Sequence, residues 1–303
     1  MANVVLTLIA GVSSEPLTTS DIAGAIKALS ETGAETAEPT WLDEGLAIDI
    51  PLMTERPTAI ETALRDHFSG RPIDLAVLPK GARRKRLLVA DMDSTIIEVE
   101  CLDELADFAG LKDRVAAITE RAMRGELDFD EALRERVGLL KGLEETALHR
   151  AYDERVTLTP GAETLVRTMA AGGAKTALVS GGFTFFTERV AHACGFDINQ
   201  GNTLLIDENG RLTGAVGDPI LGREAKEATL VRLAAESGID RQDTLAVGDG
   251  ANDLAMIGRA GLGVAFHAKP AVAQAADVRI DHADLTALLY LQGYARSDFV
   301  TGM

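Results

Sequence analysis

A chain of 303 residues, 46% hydrophobic and 25% charged, is long enough for about two domains and a sizeable buried core. Its formal net charge of −17 argues against nucleic acid as the main partner, and no stretch approaches the roughly 20 apolar residues that span a bilayer. Cys101 and Cys194 form neither a disulfide framework nor a metal-ligand spacing and read as small buried hydrophobes; with no basic segment ahead of the apolar run after Met1, the expectation is a cytosolic protein without a secretory signal.

Residues 1–79 read as one module. A strand over 3–10 alternates little, and a helix over 19–31 starts at Thr19 or Ser20 and ends at Gly33. Strands over 34–42 and 45–51 turn at Asp43-Glu44-Gly45, followed by a helix over 57–67 and a strand over 73–78. This βαββαβ order predicts a ferredoxin-like domain. Residues 80–86, with the run Arg83-Arg84-Lys85-Arg86, read as a solvated basic linker rather than a nucleic-acid patch.

The apolar run Leu87–Ala90 predicts a buried parallel strand, and Asp91-Met92-Asp93-Ser94-Thr95 follows it directly. The C-terminal edge of an open α/β sheet is where ligands bind. There, one carboxylate can attack a phosphorus atom while another handles the proton of the leaving group or of water. Residues 98–155 carry helical periodicity and predict an inserted helical cap, which would close water out of the site. Residues 87–97 and 156–295 alternate strands and helices, the pattern of an α/β core with a doubly wound parallel sheet. In that core, Pro160 is expected at the first position of a helix running to about residue 172. Lys175–Val179 leads into Ser180-Gly181-Gly182, whose hydroxyl and small, donor-rich backbone suit a phosphoryl group. A hairpin is expected over 203–206 and 211–216 around Asp207-Glu208-Asn209-Gly210. Lys226, early in a helix over 222–236, supplies a point charge for phosphate oxygens. Thr244–Val247 runs into Gly248-Asp249-Gly250-Ala251-Asn252-Asp253, whose carboxylates suit a hard Mg²⁺. Residues 296–303 read as a loose polar tail. The sum is a phosphoryl-transfer site.

Over about Leu87 to Leu289 these segments resemble the four motifs of the haloacid dehalogenase superfamily of aspartate-nucleophile phosphatases, with its Rossmann-like core. Glu100 and the stretch Ala122-Met123-Arg124-Gly125-Glu126-Leu127-Asp128-Phe129 through Arg136 narrow the resemblance to phosphoserine phosphatases. The resemblance implies that Asp91 is phosphorylated, while Asp93 protonates the serine leaving group and then deprotonates the hydrolytic water. It implies phosphate contacts from Ser180, the Gly181 amide and Lys226. Mg²⁺ would be held by Asp91, the Asp93 carbonyl and Asp249, with Asn252 and Asp253 in support. Asp93 also sets the chain apart from carbon–halogen hydrolases, whose leaving group needs no proton.

Phosphoserine carries an ammonium, a carboxylate and a phosphate, so a selective site needs an acid, a bidentate Arg and a phosphate cradle. Glu100 is implied as the ammonium partner and Arg136 as the carboxylate clamp, with Met123 and Phe129 as pocket walls. Arg134 lies about 200° around the helix from Arg136. The apolar stripe Leu133, Val137, Leu140 does not choose between them; the resemblance does. The implied activity is hydrolysis of phosphoserine, the last step of serine biosynthesis. The N-terminal module resembles amino-acid-sensing (ACT-like) domains in topology, which implies serine binding there; a structural or dimerising role, giving a homodimer, fits it equally. The rival readings are a phosphatase or phosphotransferase for another small metabolite, and a serine-binding regulatory protein with a vestigial site.

Overall fold

The N-terminal strands alternate little because both faces of their sheet are covered. The computed structural model describes residues 2–123 and 126–302. It begins with β1 (Ala2–Ala10), α1 (Thr19–Glu31), β2 (Glu35–Thr36), β3 (Thr40–Asp43), β4 (Ala47–Thr54), α2 (Pro57–His67) and β5 (Ile73–Pro79). This is the expected βαββαβ order except that the one strand expected over 34–42 is divided into β2 and β3 on either side of Pro39. β1 lies between β4 and β5, antiparallel to both, and β2 and β3 pair with the far edge of β4. Leu6, Leu8, Ile48, Ile50 and Leu75 pack in the core shared with α1 and α2. Ile9, Ala47 and Ala76 sit on the opposite face by strand alternation and join the core of the larger α/β part. The cap of α1 is Thr18, one residue ahead of the expected start, in a reciprocal pair of bonds with Asp21.

The basic run does not behave as a solvated linker. The Arg83 guanidinium donates to Thr7 Oγ1 (2.9 Å) and Asp49 Oδ1 (3.2 Å) on one side, and to the carbonyls of Tyr290 and Leu291 (both 3.0 Å) on the other. Arg84 lies 4.0 Å from the centre of the Tyr294 ring, and Lys85 Nζ donates to the Gln242 carbonyl at 2.6 Å. A second bracket is Asp74, 2% exposed, which accepts the backbone N–H groups of Asp281, His282 and Ala283 at 2.8–3.0 Å. The positive charge of the run thus answers acids and carbonyls of both parts. The tail is docked as well: the Val300 N–H donates to Thr168 Oγ1 at 2.8 Å, and the Phe299 ring lies 5.1 Å from Tyr290.

The α/β part opens with β6 (Leu87–Ala90). The cap helices α3 (Cys101–Phe108), α4 (Lys112–Met123), α5 (Phe129–Leu139) and α6 (Thr146–Arg155) follow. Then come α7 (Ala162–Ala171), β7 (Lys175–Phe183), α8 (Thr184–Cys194), β8 (Ile198–Asn202), β9 (Leu204–Ile206), β10 (Leu212–Val216) and α9 (Arg223–Glu236). The last elements are β11 (Thr244–Gly248), α10 (Leu254–Arg259), β12 (Leu262–Phe266), α11 (Pro270–Ala275), β13 (Val278–Ile280) and α12 (Ala287–Leu291). Six strands form a parallel sheet in the order β13-β12-β11-β6-β7-β8. β6 is central: Leu87 and Val89 pack with α9, and Leu88 and Ala90 with the opposite layer. The chain runs from β6 to β7 on one side and later returns to β11 on the other, so the strand order reverses beside Asp91. That is the crevice where open sheets bind ligands.

Pro160 does not open α7. Gly161 intervenes at φ +83°, and a Cβ there would stand 2.7 Å from the Thr286 amide, so this tight approach requires glycine. The cap leaves and rejoins the core through a short antiparallel contact, with Glu98 N–H to Thr157 O at 3.0 Å and Thr159 N–H to Ile96 O at 2.9 Å. The β9–β10 hairpin, expected within the core span, leans on the cap instead: Gly142 N–H bonds Leu212 O and Leu212 N–H bonds Leu143 O, both at 2.8 Å. Among the described residues no helix is long and apolar enough to cross a membrane.

Candidate active site

The adjacent ends of β11, β6 and β7 bring the three carboxylate- and glycine-bearing segments together, and α9 brings in the lysine. The turn after β6 is tight: Asp91 Oδ1 accepts the Met92 N–H at 2.8 Å, and Ser94 adopts φ +54°. Asp91 is 4% exposed. Its Oδ1 also meets Lys226 Nζ at 2.6 Å, which leaves Oδ2 without a hydrogen bond among the described residues. Asp93 faces the same cleft. Its Oδ1 accepts the Cys101 N–H at 2.9 Å and its Oδ2 accepts the Ser180 hydroxyl at 3.0 Å. Burial, and then the charge of Glu100, push its carboxyl up to about 7. A carboxyl poised there can both give and take a proton near neutral pH.

Ser180 is 2% exposed and also accepts the Gly182 N–H at 2.8 Å. A Cβ on Gly182 would stand 2.9 Å from Asp93 Oδ2, so a side chain here would displace the Asp93 carboxyl group. Lys226, 1% exposed, bridges Asp91 and Asp253, with Asp253 Oδ1 at 2.7 Å. Burial pulls its ammonium down, but the two aspartates outweigh this and hold its pKa above the ordinary value. A buried lysine between two carboxylates stays charged, a point charge of the kind that suits anionic oxygens.

Asp91, Asp249 and Asp253 each present a carboxylate oxygen, and these atoms lie within 4.8 Å of one another. Burial and then Asp91 push Asp249 up to about 6 and Asp253 up to about 7. Crowded, desolvated carboxylates of this kind are relieved by a divalent cation, and an all-oxygen donor set suits a hard one. Both Asp253 oxygens are already engaged, one by Lys226 and one by the Gly250 N–H at 3.1 Å. Asp253 therefore anchors the lysine and the Gly248–Gly250 loop, and Asp91 and Asp249 carry the free oxygens. Asn252 is exposed, with its amide folded over Gly250.

The cap supplies the remaining groups. Glu100 accepts the Ser94 hydroxyl at 2.9 Å and opens to the cleft. Burial, together with the charges of Asp91 and Asp103, raises its pKa. On α5 the two arginines part: Arg134 reaches outward to Asp218 at 2.5 Å, whereas Arg136 is half-buried and bonds only the Ala132 carbonyl at 3.2 Å among the described residues. Burial draws the Arg136 guanidinium below its ordinary value, against the opposing pull of Asp103 and Glu100. Phe129 rests over the Ser180–Gly182 loop, where a Cβ on Gly181 would stand 3.1 Å from its ring. The Met123 side chain, Arg124 and Gly125 lie outside the described residues.

Two residues at the site carry no sequence signal of their own. The Lys269 N–H donates to the Asp249 carbonyl at 3.1 Å, and its positive charge opposes the upward shifts of Asp249 and Glu100. Its visible mark is only Lys269-Pro270 opening α11. Asn202 braces the Ser180–Gly182 loop at the Gly181 carbonyl, from the end of a strand that composition does not distinguish from a loop.

The sequence model of the haloacid dehalogenase-like hydrolase family matches residues 88–258. The chain is 50% identical over 241 residues to a phosphoserine phosphatase of Albidiferax ferrireducens, covering 78% of this chain and 98% of that protein. It is 49% identical over 231 residues to one of Archaeoglobus fulgidus, covering 76% and 67% respectively. The unliganded crystal structure of a probable phosphoserine phosphatase from Vibrio cholerae superposes with a TM-score of 0.79 at 34% identity, over 98% of this chain and 88% of that one. With the four motifs gathered at one sheet edge, the chain belongs to the haloacid dehalogenase-like hydrolase family.

Proposed function

We propose that the protein is a phosphoserine phosphatase that works through an aspartyl-phosphate on Asp91 and uses Mg²⁺. The observation that carries the reading is the pairing of two neighbouring aspartates with divided roles. Asp91 is held by Lys226 with one oxygen free, and Asp93 is poised at about 7 beside Ser180. Asp91 Oδ2 attacks phosphorus, the bond from phosphorus to the serine oxygen breaks, and protonated Asp93 gives that oxygen its proton. Asp93, now a carboxylate, takes a proton from the water that attacks phosphorus, and the bond to Asp91 breaks to release phosphate. Ser180, the Gly181 N–H and Lys226 hold the phosphoryl oxygens as charge shifts among them. Asp91, the Asp93 carbonyl and Asp249 would hold Mg²⁺, which when bound neutralises phosphate charge and polarises phosphorus.

Specificity follows from the cap. Glu100, with its raised pKa and no ion pair among the described residues, suits the substrate ammonium; Arg136, with no carboxylate partner among the described residues, suits the substrate carboxylate. The buried thiols Cys101 and Cys194 fit a reducing cytoplasm. Serine binding or pairing of two chains at the N-terminal module rests on its βαββαβ topology, and equilibrium dialysis of the whole chain against serine tests the former. The primary test is phosphate release from phosphoserine, phosphothreonine and p-nitrophenyl phosphate, each with Mg²⁺ and with EDTA. Metal-dependent preference for phosphoserine is expected. Metal-dependent activity without that preference would keep Asp91 and overturn the substrate.

A further inference from the structure

We propose that Asn202 is a positioning residue for phosphoryl transfer, fixing the distance between the Ser180–Gly182 loop and the start of the helix that carries Lys226. The proposal rests on the phosphatase reading above. Asn202 ends β8 and is 2% exposed. Its Nδ2 donates to the Gly181 carbonyl at 2.8 Å and to the Leu221 carbonyl at 3.1 Å, and its Oδ1 accepts the Leu221 N–H at 2.7 Å. Two acceptors and one donor face the amide, so only one orientation satisfies all three. An ordinary structural Asn at a strand end bonds backbone within a few residues. This one reaches 21 residues back and 19 forward.

Both ends of that reach are functional. The peptide joining Gly181 to Gly182 is held at its carbonyl by Asn202 and at its N–H by Ser180 Oγ. That plane adjoins the α-carbon that carries the Gly181 N–H, the proposed phosphate donor. Leu221 leads straight into Gly222, the cap of α9, and Lys226 is the fourth residue of that helix. The two glycines also form the surface on which the cap lands: a Cβ on Gly181 or Gly222 would stand 3.1 or 3.4 Å from the Phe129 ring. One buried amide therefore spaces a phosphate donor, a phosphate cation and the seat of the cap.

The test uses the whole Mg²⁺-loaded chain. It compares kcat and KM for p-nitrophenyl phosphate, inhibition by inorganic phosphate, and Tm. Asn202→Ala should lower kcat by roughly 10- to 100-fold and weaken phosphate inhibition about tenfold, because small displacements of oxyanion donors cost that much. Asn202→Asp keeps the shape and the Leu221 N–H bond but sets a carboxylate oxygen against two carbonyls, and it should follow Asn202→Ala. Thr187→Val is the control. It removes the neighbouring 2.9 Å bond from α8 to Asn199 on β8 and should lower Tm while phosphate inhibition stays unchanged. Phosphate inhibition that weakens equally in Thr187→Val and Asn202→Ala would overturn the proposal, as would an Asn202→Ala constant within about threefold of the parent. Failure of both Asn202 variants to fold would reduce the residue to a structural one and also overturn it. A parent protein that cleaves no ester would instead sink the phosphatase reading, and calorimetric phosphate binding by parent and variants would then decide the role of Asn202.

Discussion

In the proposed mechanism Asp93 both gives and takes the proton, and its surroundings give it a signature in stability as well as rate. Its pKa rises from about 4 to about 7 on folding. Between those values the folded state holds a proton that the unfolded state has released, so stability falls as pH rises through the window and levels off above it. Asp249 and Asp253, raised to about 6 and about 7, add slopes of the same sign. Tm measured in EDTA should therefore decline from pH 5 to pH 8. Asp93→Asn should make that decline shallower, and excess Mg²⁺ should offset part of it. An EDTA profile that rises over this window would refute the assignment. Asp91→Asn should abolish turnover, by about 10³-fold or more, with an unchanged far-ultraviolet circular dichroism spectrum; appreciable activity in a deamidation-free preparation would sink the nucleophile. These aspartates were readable because motif and strand end coincide within five residues. Asn202 and Lys269 were not, because their meaning comes from partners brought near only by the sheet.

At the scale of a helix, α5 shows what periodicity can and cannot decide. The stripe Leu133, Val137, Leu140 marked the buried face, and all three are buried. It could not say which flank of that stripe faces the substrate, since Arg134's partner Asp218 lies 84 residues away in sequence. The structure separates the two: one arginine is spent on an exposed cap-to-core contact, the other is half-buried and has no carboxylate partner among the described residues. Arg136→Ala should cost roughly 2–5 kcal/mol with phosphoserine, thirtyfold or more in kcat/KM, if it clamps a desolvated carboxylate. The loss with p-nitrophenyl phosphate should be much smaller, and equal losses would argue against the clamp. Arg134→Ala removes an exposed pair worth about 0–1 kcal/mol, so kcat/KM should change by less than about fivefold with either ester. The secondary structure itself was largely legible. α1 and α2 fall on their expected spans, α1 behind its Thr18 cap and α2 with proline at its start, while Pro160 misled because Gly161 takes the place a helix start would need.

For the molecule as a whole, the order of the N-terminal module and the doubly wound sheet followed from pattern, and their mode of attachment did not. A basic run reads the same whether it is wet or docked, and the groups that answer Arg83 stand 34, 76, 207 and 208 residues away. The Arg83 and Asp49 side chains are each only 11% exposed. Arg83→Ala would leave the Asp49 charge buried without its partner, a loss of about 3–5 kcal/mol. Urea unfolding of the parent should proceed in a single transition. The variant should show a lower midpoint or two separate transitions; an unchanged midpoint would mean that the bracket contributes nothing. Tyr290 adds a further tie, its hydroxyl donating to Asp43 at 2.7 Å.

For anyone wishing to trim the protein to its chemistry, the same bracket is a warning. Cutting after residue 86 would wet the apolar surface that Ile9, Ala47 and Ala76 cover and leave the amides of residues 281–283 and the carbonyls of Tyr290 and Leu291 bare. The shortened enzyme should be recovered from inclusion bodies rather than from the supernatant, until that face is rewritten with polar side chains.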